Sequence, residues 1–361
     1  MQDKVSLNTI LPDVGGEILV DARQQVHLYL LERVPVYQEL TELRDEAWNR
    51  AAGRKYFKNQ RERADNATEE VAGHFFRMMQ RIARELDNAT GLFHIHIGNS
   101  VREQPPSILD WCMAPGGFVS AITKPYPKSK CRAFSLPPEV GGHKALLPSK
   151  TAKRVNITYL DINLLAADMG VDDVPEDHPE PQSFLPRQLD PKTLFDLVIC
   201  DGQVLRTHER PEHRERLESA RLILVQLALG LEHLRPGGKM VILLHKVETW
   251  DCIQLLYVFS HFSSIQLFKP KTTHKYKSTC YLVASDIQSQ HEEAIKAVRM
   301  WKKAWKVATF GALEEYKELI EPSQTEVEAV LDEFGPRLIE LATNVWETQA
   351  EALAAARFTR K

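Results

Sequence analysis

The segment from Ser107 to Ile122, SILDWCMAPGGFVSAI, carries the richest chemistry in this sequence. An apolar run ends in Asp110, passes through the turn APGG and enters a second run of helical character. Glycine lets a backbone approach a ligand closely and adopt positive φ, and a helix start presents free N–H groups. A strand, a Gly-rich turn and a helix in that order form the place where open α/β sheets hold cofactors. The turn has neither the G-x-G-x-x-G dinucleotide pattern nor the G-K-[ST] of a phosphate loop, so NAD and ATP are poor guesses. A turn with only a structural role is the alternative. Two further residues end apolar runs, Asp201 in FDLVICDG and Lys246 in KMVILLHK. Taken singly, an Asp before Gly reads as a turn former, and the lysine as a strand cap.

Metal chemistry is not expected. His94 and His96 in FHIHIG would share one side of a strand, but no Cys or acidic ligand lies beside them, and a solvated strand face is the simpler reading. The five cysteines, Cys112, Cys131, Cys200, Cys252 and Cys280, form no C-x-x-C pair. Three of them lie in apolar strand-like runs, where a thiol acts as a small hydrophobe. Reduced cysteines and an intracellular setting follow as expectations.

The elements that must position these residues fall into three stretches. Residues 1–92 read as helical, with helices over 22–33 and 36–52 parted at Pro35. Another helix carries Phe75, Met78, Ile82 and Leu86 at helical spacing, with Asn66 and Glu69 as start signals and Gly91 as a stop. From 93 to 286, short apolar runs (SILDWCM, NITYLDI, FDLVICD, KMVILLH, SIQLF, TCYLVAS) alternate with helical stretches, which predicts an α/β sheet with helices on its faces. The acidic, Pro-rich stretch 168–192 reads as a loop or lid. From 287 to 361 the chain is again helical. Ile295, Val298, Trp301 and Trp305 share one face there, more in keeping with core packing than with base stacking, and Pro336 should separate the last two helices.

The motifs resemble those of the FtsJ-type S-adenosylmethionine-dependent RNA 2′-O-methyltransferases. D-x-C-x-A-P-G-G-F at 110–118 is similar to the family's first motif. FDLVICDG resembles the strand ending in its catalytic aspartate, and RPGGKMVILLHK the strand bearing its lysine. KPKTTHKYKSTCYLVAS at 269–285 resembles its closing strands, so the likeness covers roughly 107–286. It implies a Rossmann-like seven-stranded α/β sheet between N- and C-terminal helical extensions. It implies S-adenosyl-L-methionine as cofactor, over Ala114, Pro115, Gly116, Gly117 and Phe118, with Asp110 supporting the turn. Asp161 matches the family's adenine-contacting acid, and Ser135 stands where an acid often meets the ribose. The implied catalytic residues are Lys58, Asp201 and Lys246, with Lys55 as a rival to Lys58, and Asp201 is implied to line the cofactor pocket as well. Thr279 stands in place of the family's last member, a glutamate. Glu248, two residues past Lys246, is a candidate substitute, with a surface loop position as the alternative.

Forty-six Lys+Arg against 49 Asp+Glu give a net charge of -3, which on its face argues against a nucleic-acid partner. The balance is a cancellation. Residues 121–154 and the 269–277 hairpin are basic, while acids collect in 168–192 and the C-terminal helices. The whole-chain charge therefore excludes little, and the basic stretches read equally as a solvated surface or a phosphate-binding face. RNA is the substrate that the resemblance implies, with a positive face expected near Lys246. A methyltransferase of small molecules or proteins, or a non-catalytic binding protein, is the alternative. The longest apolar run, LILVQLALGL, is about half the ~20 residues of a membrane span, and the opening MQDKVSLNTI lacks the pattern of a secretory signal.

Overall fold

The structure is a computed structural model that describes residues 18–65, 69–95 and 105–358. Four helices come first: α1 (Ile18–Arg33), α2 (Pro35–Asn49), α3 (Ala51–Asp65) and α4 (Glu69–Thr90). Pro35 opens α2, where its missing N–H costs nothing. α3 was not foreseen as a helix of its own. Gly91 follows the end of α4, as expected, while Asn66 lies outside the described residues.

Seven strands follow: β1 (Ser107–Asp110), β2 (Lys130–Ser135), β3 (Val155–Tyr159), β4 (Phe195–Cys200), β5 (Leu234–His245), β6 (Ser264–Phe268) and β7 (Thr279–Ile287). They form one sheet in the order β3-β2-β1-β4-β5-β7-β6. β1 to β5 pair in parallel, and β7 runs antiparallel between β5 and β6. Between them lie α5 (Gly117–Ile122), α6 (Ser149–Ala152), α7 (Glu212–Glu215), α8 (Glu218–Glu232) and α9 (Trp250–Ser260). α10 (Glu292–Phe310), α11 (Leu313–Ile320) and α12 (Gln324–Ala355) complete the chain. This is the expected α/β architecture.

Alternation along the strands divides the core. On β5, Met240, Ile242 and Leu244 face the larger cluster with α8, α9 and α12, while Val241 and Leu243 face a smaller one with α4 and α5. The two helical extensions meet, with α2 and α1 packing on α12.

Several expectations need correction. α12 runs through Pro336. Proline removes the hydrogen bond to the Asp332 carbonyl, but Asp332 and Pro336 both face water, while Leu331, Phe334 and Leu338 continue the buried face. The breaks fall instead at Gly311 and at residues 321–323. Trp305 is fully buried and Trp301 stacks on Phe259, but Ile295 is exposed. The acidic 168–192 stretch is a loop but no lid. Asp168 is buried and accepts from the Gln188 and Leu189 amides, and Phe184 packs on Phe310 of α10, away from the cavity described below. His94 sits in a turn, its amide donating to the Gly91 carbonyl, rather than on a strand; His96 is outside the described residues. Among the described residues, no helix is long and apolar enough to cross a membrane.

Candidate active site

β1 lies between β2 and β4, so the turn after Asp110 opens where the strand order reverses, the usual ligand position in such sheets. The turn is tied to both neighbours. Trp111 N–H donates to the Ile199 carbonyl at 3.2 Å, and Met113 N–H to the Phe134 carbonyl at 3.0 Å. Gly116 has φ 99°, a conformation in which a side chain is strained. At Gly117 an added Cβ would stand 2.3 Å from the Phe76 carbonyl. α4 therefore rests directly on the turn, a contact that only glycine permits.

A cavity of about 280 Å³ opens at this place. Ala114 and Pro115 reach it from the turn, Ser135 from β2, and Asp161 and Asp201 from the segments after β3 and β4. Phe75 and Met79 of α4 wall its other side. Gly116, Gly117 and Phe118 do not line it: α4 covers Gly117, and Phe118 is buried against Tyr281. Asp110 lies in the protein interior, its Oδ1 accepting from the Cys112 amide at 3.2 Å and its Oδ2 unpartnered. Burial, and then the charge of Asp201, push the Asp110 carboxyl well above the ordinary range. Burial raises Asp201 to about 7, against an opposing hydrogen bond from its own backbone.

At the far end, Asp161 accepts from the Asn163 amide at 2.9 Å and from Arg214 at 2.5 Å. Arg214 also pairs with buried Glu218 at 2.9 Å, and His208 stands 3.9 Å from both acids. One atom each of Asp161, His208 and Glu218 lies within 4.8 Å of the others. That is the spacing of a cation site, and Arg214 already brings a positive charge to it. None of His208, Arg214 and Glu218 was singled out from sequence. The available signal was the mixture of Arg, His and Glu in RTHERPEHRER, just after Asp201.

β5 supplies the remaining groups. The register sets Cys200 beside Ile242, so Lys246 stands beyond Asp201 at the carboxyl rim. Its backbone is left-handed, φ 52°, a strained state for lysine of the kind that collects at functional sites. Its amide donates to the Ser278 carbonyl at 2.9 Å, joining it to the loop before β7. His245, missed from sequence, does not line the cavity but is held by Gln203, which does. The Gln203 amide donates to its Nε2, which leaves Nδ1–H to donate to Thr279 Oγ1 at 3.2 Å. Burial, then Lys277 and Lys269, lower His245 to about 4, so its ring is neutral near pH 7. Thr279 sits directly opposite it in the β5–β7 ladder.

Two expectations fail on geometry. Lys58 is 69% exposed on α3 and pairs with Glu62 at 3.7 Å, and Lys55 is exposed as well; neither lines the cavity. The reason is the placement of α4, which takes the cavity wall and leaves α3 outside. Glu248 is not a carboxylate for Lys246 either. It is bound by Arg44 at 2.6 Å and by the Trp346 indole N–H at 3.3 Å.

Comparison with known proteins bears on these residues. The family model described as FtsJ-like methyltransferase matches residues 82–287. Among curated proteins, no sequence matches. Among solved structures, human methyltransferase-like protein 13 in complex with SAH is 14% identical over 71% of this chain and 95% of its own, with a TM-score of 0.33. An O-methyltransferase family protein from Burkholderia thailandensis is 11% identical over 60% of each chain, with a TM-score of 0.31. The N-methyltransferase NodS from Bradyrhizobium japonicum is 14% identical over 56% of this chain and 85% of its own, also with a TM-score of 0.31.

Proposed function

This chain belongs to the FtsJ-like methyltransferase family, and on that premise we propose that it methylates a ribose 2′-hydroxyl of RNA, with S-adenosyl-L-methionine as donor. The observation that carries this reading is the convergence of Pro115, Ser135, Asp161 and Asp201 on one cavity at the carboxyl ends of the strands. The residues fit the donor. Ser135 offers a hydroxyl to a ribose, Leu160, Ile162 and Leu222 offer apolar walls to a flat base, and the turn bearing Pro115 closes the other end. The donor, when bound, supplies a methyl group on a sulfonium.

The chain's own residues do the rest. Asp201 holds a carboxyl that ionises near neutrality, where it favours positive charge beside it. Lys246 orients the sugar hydroxyl and assists loss of its proton, the step that makes a poor nucleophile reactive. Thr279 replaces the family's glutamate, and it holds neutral His245 in place rather than contributing charge. All five cysteines are free thiols, in keeping with an intracellular setting.

Incubation with methyl-labelled donor and total RNA, followed by digestion to nucleosides, tests the reading. Label in 2′-O-methyl nucleosides is the expected result. Label only in methylated bases, in protein or in small molecules would overturn it.

A further inference from the structure

α4 has two unlike faces. The inner one, with Phe75, Met79 and Ile82, lines the cavity. The outer one presents His74, Arg77, Arg81 and Arg84, all exposed, at spacings of three and four that align them along one side of the helix. The helix has acids too, but those of its second half are engaged elsewhere. Glu85 accepts from the Lys271 amide at 3.1 Å and from the Thr272 hydroxyl, and Asp87 accepts from the Phe93 amide at 2.6 Å. Among the described residues, none of the three arginines forms an ion pair.

The Glu85 contacts also fix what lies next to this ridge. They pin the 269–278 loop against α4, one turn from Arg81, so exposed Lys271 extends the basic line. The same loop carries Lys277 and His274 to the cavity wall. Lys269 braces it from within, its buried ammonium donating to the His274, Lys277 and Thr279 carbonyls. Just past the same, C-terminal end of α4, Tyr126 donates to the Phe93 carbonyl, and exposed Lys124 and Lys128 flank it. The acidic 168–192 loop packs with α10, on the larger core cluster that lies across the sheet from α4.

We propose that the outer face of α4, continued by the 271–277 loop, is the track on which the RNA sugar–phosphate backbone lies, leading a nucleotide to the cavity on the helix's inner face. The proposal rests on the RNA reading above and adds the surface that holds the strand. Arg77 and Arg81 precede the family match, whereas Arg84 and the 271–277 loop lie within it. Arginines on such a ridge contact phosphates without reading sequence, releasing counterions from the strand. α4 thus couples the two halves of the site, since one helix both walls the cavity and carries the track.

The test uses the full chain and labelled poly(U), a sufficient probe because phosphate contacts do not depend on base. In the triple variant Arg77→Gln, Arg81→Gln, Arg84→Gln, poly(U) affinity should fall at least about tenfold at 0.1 M salt. The slope of log affinity against log salt should become shallower by about 2, as three lost contacts to a single strand require. Arg→Lys at the same three positions should restore most of the affinity. Arg337→Gln, which removes one exposed charge from α12, should change nothing, and cofactor affinity should be the same in every variant. Equal poly(U) affinity and slope in the parent and the triple glutamine variant would overturn the track alone. Failure of the parent to bind poly(U) would overturn the track and the RNA reading together.

Discussion

Arg44 of α2 and Glu248, just past Lys246, meet at 2.6 Å across 204 positions of the chain. Arg44 also donates to Gln349 of α12 at 2.7 Å, and Gln349 donates to the Tyr276 carbonyl and the Ser278 hydroxyl. One guanidinium thus ties both helical extensions to the two segments that flank Lys246. The extensions act as a brace for the catalytic rim, and the consequences of cutting that brace can be measured.

Arg44→Met leaves a buried carboxylate without its cation, at a cost of about 3 kcal/mol in urea unfolding. Burial raises Glu248, but Arg44 and the hydrogen bonds from its own backbone and Trp346 outweigh it, so the group is held below its ordinary range. Its stabilising contribution is present above the unfolded carboxylate value and is lost as pH falls through the lowered one. Glu248→Gln should therefore destabilise the protein at pH 7 and matter less in acid, below the lowered value. An equal loss at both would contradict the ion pair.

Asp201 carries the opposite sign. Its folded value of about 7 lies above the ordinary 3.8, so between those values the folded chain keeps a proton that the unfolded chain sheds. Stability from this group falls as pH rises through that window, and the full penalty applies above it. Asp201→Asn should raise the Tm above pH 7, with the gain vanishing below pH 4, while methyl transfer is lost. A gain that does not depend on pH would show that burial of the charge is not its origin.

Lys246→Ala should lower kcat by roughly 10²–10⁴-fold, the usual contribution of a positioned acid–base group. Cofactor affinity by calorimetry should stay within about twofold, since Lys246 does not line the cavity. Retained turnover would remove the lysine from the mechanism.

Gly117→Ala inserts a methyl group against the Phe76 carbonyl and the Met79 Cβ. The strain should cost about 1–3 kcal/mol and push α4 off the turn, weakening cofactor binding as well. Unchanged stability and binding would mean that α4 does not depend on this contact.

Much of this molecule was legible in the sequence for local reasons. The strand–turn–helix at 107–122, the alternating strands and the end of α4 at Gly91 are written in nearest-neighbour chemistry and period. Ala114, Pro115, Ser135, Asp161 and Asp201, which only the likeness to a family singled out, do line one cavity, because parallel strands bring their carboxyl ends to one edge of the sheet. Pro336 shows where local rules fail, since packing of Leu331, Phe334 and Leu338 outweighs one missing hydrogen bond.

What only the tertiary structure decided are relations between distant segments. Sequence spacing made Glu248 a possible partner of Lys246, whereas the fold hands it to Arg44 and Trp346. Likeness of motif pointed to Lys58, whereas α4 takes the cavity wall and leaves Lys58 in solvent on α3. His245 acquires its role from Gln203 and Thr279, 42 and 34 positions away. The sequence by itself determined the sheet and the floor of the site, because strand pattern and turn chemistry are local. The assignment of charged side chains to partners was left to the fold, because a carboxylate or an imidazole takes its state from whatever burial and charge the folded chain brings beside it.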